Sequence, residues 1–418
     1  MLKKYFEPGA LFSYHAFRNL WISTIFTVIA ISAFPIALAI EILDSGGSAT
    51  TLGLILGIRV LTGVVFSPVG GVWADRLPRK TILIVSDGFR GVLGTTVIFF
   101  NPDSMSIWIL AVIVGFMGIS DGFGAPASQA IIPSILPEHL WPSGNVVRNL
   151  AIKGSTIAGP GIAGVIVGTV GTHATFIACS VFFLLGAALL FRIDEGKKLV
   201  DAPAGNKFFH DLKEGFKVVW EVKWIAAMII MASIQLLLVV ATETVMLPVI
   251  TKREFDTSSV FAVSVALFSL GGAISAIICL KLKIKNRGTV AVVVWGLFIF
   301  APLVLAFPSS KEIVFIAYFL AGLSIGPWEA FWSLAVQQEV EPEMQARVFS
   351  IDYMGTVGLL PLGLALAGPA AALFGEKEFL IGVSVFHLLI CAVTLLVPGV
   401  REMRSPGKSN YSQSEQKK

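Results

Sequence analysis

Apolar residues in this chain come in long unbroken runs, not in the alternating or three-to-four spacing of an element with one wet face. Twelve runs approach the length of about 20 residues that carries an α-helix across a bilayer. They cover roughly 19–41, 51–73, 81–100, 105–127, 145–170, 174–192, 223–249, 258–280, 289–307, 312–335, 347–374 and 377–398. The one long polar segment, 194–222, divides them six and six. It ends in His210-Asp-Leu-Lys-Glu-Gly-Phe-Lys217, expected to lie as a short helix on the inner membrane surface. The prediction is an all-α membrane protein with 12 transmembrane helices in two pseudo-symmetric halves. The six-helix halves are 1–193 and 223–400, with a cytoplasmic linker over 194–222 and a cytoplasmic tail over 401–418.

An even number of spans per half starts both halves on the same side, so they can be parallel copies of one fold. At an offset of 205 residues, Ala125, Ser128, Ala130, Pro137 and Glu138 meet Ala330, Ser333, Ala335, Pro342 and Glu343. That sets the fourth span opposite the tenth.

Composition leads to the membrane on its own. A chain 55% hydrophobic and 14% charged, with mean hydropathy +0.82, cannot hide its apolar surface in a water-soluble globule. Of the 31 Lys and Arg, only Lys252, Arg253, Lys311 and Lys377 fall in outer loops if both termini are inside. Arg59, Arg90 and Lys153 lie within spans, and the rest, Arg148 and Arg347 included, belong to inner segments. Basic residues collect on the cytoplasmic side, so the net charge of +4 is an orientation signal and calls for no nucleic acid.

Cys179, Cys279 and Cys391 stand far apart inside apolar runs, which argues against disulfides and metal. The first run is full length and lacks a cleavage pattern, as a retained helix would. No phosphate-binding loop, H-E-x-x-H or G-x-S-x-G occurs, and no extramembrane segment is large enough for a nucleotide domain. The expectation is no enzyme and no cofactor.

Between the second and third runs stands Gly71-Val-Trp-Ala-Asp75-Arg76-Leu-Pro-Arg79-Lys80, a short charged reversal. It resembles the signature loop between helices 2 and 3 of the major facilitator superfamily, whose members move small solutes using ion gradients. Ser155-Thr-Ile-Ala-Gly159-Pro160-Gly-Ile-Ala-Gly164 is similar to that family's antiporter motif, with Ser155 and Ala163 where glycine is usual. Phe17-Arg18-Asn-Leu-Trp21, Asp121-Gly-Phe123 and Ala346-Arg347-Val-Phe349-Ser350 resemble the branch holding macrolide, multidrug and enterobactin-type siderophore exporters.

The resemblance implies secondary active transport by alternating access: proton-coupled efflux of amphipathic molecules such as drugs or macrolides. A siderophore or lipid-like metabolite exporter, an importer and a non-transporting receptor are the alternatives. It further implies a monomer in the plasma (bacterial inner) membrane, driven by an ion gradient, with membrane lipid and a small-molecule substrate as partners. Asp75 would latch the cytoplasmic side against the eleventh helix, helped by Arg76, Arg79 and Lys80; the rival reading is that these charges only fix topology.

Charges inside spans face a cavity or a partner by default. Asp87 and Arg90 are three apart on one helical face, either a structural ion pair or a coupling pair. Asp121 opens a polar stripe with Ala125, Ser128 and Gln129. Glu329 does the same with Ser333 and Gln337, beside Trp328, Phe331 and Trp332. An acid beside aromatic rings suits a cationic solute, although helix-to-helix hydrogen bonding is the plainer role. Glu243, with Gln235 and Thr242, is expected at the central cavity. Glu41 and Asp44 are expected to be solvated, Asp352 to start the eleventh helix, and His387 to pack.

Overall fold

The computed structural model describes residues 10–97, 107–195, 216–217, 219–257, 259–281, 284 and 286–404. They form long helices: α1 (His15–Asp44), α2 (Ala49–Arg76), α3 (Arg79–Val97), α4 (Ile107–Ala130), α5 (Trp141–Val170) and α6 (Thr172–Phe191). There follow α7 (Lys223–Phe255), α8 (Ser259–Lys281), α9 (Arg287–Ala306), α10 (Lys311–Glu339), α11 (Pro342–Phe374) and α12 (Glu376–Thr394). Eleven are long and apolar enough to cross a membrane on length and composition. The expected span outside that set is α3, whose 19 residues include Arg79, Lys80, Asp87 and Arg90. Of the expected linker, 196–215 and 218 lie outside the described residues, as does 405–418 of the tail.

Contacts group the chain into two compact units. One comprises Met1–Ala204, Val245–Ala266 and Leu364–Gly368; the other comprises Gly205–Thr244, Leu267–Gly363 and Pro369–Lys418.

In the first unit α2 packs on α4, α1 on α5 and α6, and α3 on α4 and α6. Small residues set the α2–α4 spacing. A Cβ on Gly118 would stand 2.1 Å from the Arg59 carbonyl oxygen, and one on Gly122 2.6 Å from that of Gly63. Between membrane helices, where lipid is as apolar as leucine, such close approach supplies the attraction. Leu150, Val165 and Phe191 are exposed, as befits a surface solvated by acyl chains.

The C-terminal end of α7 and the start of α8 belong to this unit. Lys252 Nζ stands 2.5 Å from Asp44 Oδ1, and Thr172 Oγ1 donates to Glu41, which is only 9% exposed. Neither acid is therefore merely solvated, because a basic or hydroxyl partner from another helix end meets each.

In the second unit α9 packs on α10 and α12. Trp295 Nε1 donates to Gln235, whose Nε2 lies 3.3 Å from His387 Nδ1; His387 Nε2 is 3.0 Å from the Trp295 carbonyl. His387 is fully buried there, as expected of a packing residue. A π turn, Leu236–Val240, follows Gln235 within α7. Asp352 does not start α11: the helix begins ten positions earlier, at Pro342, which has no amide hydrogen to leave unsatisfied. Instead Asp352 accepts from Trp332 Nε1 at 2.9 Å.

Candidate functional site

Helix α3 brings an acid and a base to one face, and α1, α2, α4 and α6 close around them. Arg90 donates to Asp87 Oδ1 at 2.6 Å and to the Ser120 carbonyl at 2.8 Å. Thr27 Oγ1 donates to Asp87 Oδ2 at 2.7 Å, and Arg59 Nε donates to Asp121 Oδ2 at 3.0 Å. Arg90 Nε is 2.9 Å from Asp121 Oδ1, a charge contact whose alignment falls short of a hydrogen bond. Both guanidiniums also lie over rings, Arg59 over Phe34 at 5.6 Å and Arg90 over Phe183 at 5.9 Å. Such enclosure by opposite charge and aromatic faces lowers the cost of charge at membrane depth.

Glycines make room for this network. A Cβ at Gly124 would come 2.9 Å from the Arg90 guanidinium, and one at Gly186 2.7 Å from Thr27 Oγ1. The network borders a cavity of about 370 Å³ whose wall includes Asp87, Arg90, Asp121, Ser128 and Arg148, with Leu20, Val28, Ile31, Leu83, Ile152 and Leu190 as its apolar part. Side-chain exposure is unequal: 29% for Asp121 against 4% for Asp87, 4% for Arg90 and 8% for Arg59.

Arg148 is not an inner-loop charge. Helix α5 starts at Trp141, several residues before its apolar run, and carries Arg148 inward, where its Nη2 donates to Ser128 Oγ.

At the signature loop, the side chain of Asp75 lies outside the described part of the structure, and Arg76 is exposed. Arg79 donates to the Ala130 carbonyl at 2.8 Å, and Lys80 Nζ to that of Ile193 at 2.9 Å. Glu195 accepts from the backbone amides of Arg79 at 3.0 Å and Lys80 at 2.9 Å. Its carboxylate thus satisfies two of the orphan donors at the start of α3. Gly71 faces open space; the close approach falls at Gly70, where a Cβ would stand 2.5 Å from the Gly122 carbonyl oxygen.

In the antiporter-like segment, Pro160 is buried within α5. A Cβ on Gly159 would come 2.7 Å from Ser32 Cβ of α1, and one on Gly164 2.5 Å from Ala262 Cβ of α8.

The remaining expected residues belong to the second unit. Glu243 lies beside the Tyr318 and Thr244 hydroxyls, although the buried Tyr318 hydroxyl does not reach full hydrogen-bond geometry. Trp328 leans on Trp295 with centroids 5.5 Å apart, and Trp332 meets Trp224 edge-on at 6.1 Å. Trp332 is buried, whereas Glu329 is exposed. Sequence reasoning missed Thr27, Ser120 and Glu195. Only Glu195 left a signal: an acid just past the sixth run, near in topology to the unsatisfied amides of α3.

Long apolar helices enclosing a charged, cavity-bordering network define an integral membrane transporter. The chain belongs to the Major Facilitator Superfamily, whose profile matches residues 20–359. It is 24% identical over 389 residues to the multidrug efflux pump Tap of Mycolicibacterium fortuitum, covering 90% of this chain and 93% of that one. It is 22% identical over 400 residues to macrolide efflux protein A of Streptococcus pyogenes, covering 93% and 96%. The fold matches the crystal structure of a D-xylose-proton symporter with TM-score 0.72 at 12% identity, covering 95% of this chain and 100% of that one.

Proposed function

We propose that the protein is a secondary active exporter that expels amphipathic small molecules in exchange for protons by alternating access. It would act as a monomer in the plasma (bacterial inner) membrane, with both termini cytoplasmic and an ion gradient in place of a cofactor. The efflux for which the relatives are named and the antiporter-like segment support the outward direction.

The observation that carries the coupling is the position of Asp121. It is the one acid of the network with substantial exposure, and two guanidiniums hold it. A proton arriving at its carboxylate would remove the charge that holds Arg59 and one of the two carboxylate contacts of Arg90, and loss of that proton would restore both. Binding of cargo in the adjoining cavity and binding of a proton can therefore compete for one set of side chains, which is what exchange requires.

The test uses inside-out vesicles carrying a pH gradient, to which macrolides, dyes, tetracyclines or catecholate siderophores are added. Dequenching with at least one class, lost in Asp121→Asn, is the expected result. Silence across the panel, or full dequenching by the variant, would overturn proton exchange through Asp121.

A further inference from the structure

With Arg59, which reaches Asp121 from outside the cavity wall, the network and the cavity together hold three cations against two anions. Arg59 and Arg90 are answered by Asp87 and Asp121, two cations by two anions. Arg148 stands on the same cavity wall and is 6% exposed. Among the described residues no carboxylate meets it. Ser128 Oγ takes one guanidinium nitrogen, and Nε has no hydrogen-bond partner. A cation kept at membrane depth without an anion is costly, and guanidinium is the side chain whose planar donors match a carboxylate.

The surroundings say what else a ligand there must carry. Leu20, Val28, Ile31 and Ile152 supply apolar wall. Ser23, Thr24 and Thr27 also border the cavity, but they spend their hydroxyl hydrogens on Gly186 O, Leu20 O and Asp87 respectively. Ser128 keeps its hydroxyl hydrogen and Arg90 Nε faces Asp121 off-line; the charged donor on this wall that no carboxylate meets is Arg148.

We infer that Arg148 is an anion-binding subsite, and that the transporter's cargo includes amphipathic carboxylates whose charged group docks there while their hydrocarbon part lies on the apolar wall. The substrate class rests on the transporter reading; the subsite itself rests only on the cavity. It departs from the cationic preference that Glu329 and its neighbouring tryptophans suggest in the sequence.

The test compares two probes of nearly equal shape, 2-naphthoate and neutral 2-naphthamide. They are titrated against full-length protein in lipid nanodiscs, with empty nanodiscs as the blank. Wild type should bind naphthoate about tenfold more tightly, the scale of a charge-assisted hydrogen bond. Arg148→Gln should bring the two affinities together, and Arg148→Lys should keep part of the difference. Equal affinities in wild type, no binding of either probe, or a preference that survives Arg148→Gln would each overturn the subsite. The wild-type comparison decides even where a variant fails to fold.

Vesicle flux separates the two proposals. An Arg148-dependent preference without transport of any compound sinks the exporter and leaves the subsite. Export of macrolides by a protein indifferent to probe charge does the reverse.

Discussion

Arg59 and Asp121 stand 62 positions apart in sequence and meet across α2 and α4 at 3.0 Å, the first helix pair's glycines allowing the approach. Asp121 is also the carboxylate nearest Arg90 Nε, so one side chain ties three helices. Asp121→Asn should lower stability in detergent by about 2 kcal/mol, because it leaves buried cations facing a neutral group. Arg59→Gln combined with Asp121→Asn should cost less than the sum of the single changes, since the two residues share one interaction. Thermal unfolding of the four proteins measures this; strict additivity would mean the contact contributes nothing.

The amide pair at the start of α3 gives a second expectation. Glu195→Ala removes the acceptor for the Arg79 and Lys80 amides and should cost about 1 kcal/mol, the size of a lost helix cap. Glu195→Gln retains one acceptor oxygen and should cost less. Equilibrium unfolding of both variants reads the difference.

Two glycines in α2 and α4 should behave oppositely. Gly118→Ala pushes a methyl group against the Arg59 carbonyl and should destabilise by about 1–3 kcal/mol or more through forced helix separation. Gly71→Ala enters open space in a helix interior and should leave stability unchanged or raise it by up to about 1 kcal/mol. Equal losses at both sites would contradict the packing described for the α2–α4 contact.

Within the second unit, Gln235→Leu strips the partner from Trp295 Nε1 and from one face of His387. Each buried polar group left alone costs about 1–3 kcal/mol, so this variant should be among the least stable of single changes in α7. Its melting temperature against that of the isosteric Gln235→Glu tests whether the amide is needed as both donor and acceptor.

Helix number and type were legible because lipid demands the same thing of every span: apolar length. The exception, α3, shows the limit. Its charges weaken the hydropathy signal, yet Asp87 and Arg90 are tolerable because Thr27, Ser120 and Asp121 come from two other helices to meet them, and no local pattern encodes that meeting. The pairing of Asp87 with Arg90 could be read from a spacing of three. The choice of Arg59 for Asp121 could not, since it depends on glycines that decide how near two helices come. Arg148 stands inside the fifth run, yet its charge counts it with the inner segments; its place on the cavity wall beside Ser128 depends on packing that no local pattern encodes. Trp332 next to Glu329 in sequence suggested an aromatic binding face, but its indole turns to Asp352.

The π turn at Leu236–Val240 makes α7 a helix of two phases. An extra residue in one turn offsets everything beyond it by about 100° relative to an uninterrupted α-helix. Gln235 precedes that offset and joins Trp295 and His387; Glu243 follows it and lies beside Tyr318. Deleting a single leucine from the turn would therefore act as a rotation, not a shortening: the same side chains would remain, but Glu243 would be dialled away from its tyrosine while Gln235 kept its place.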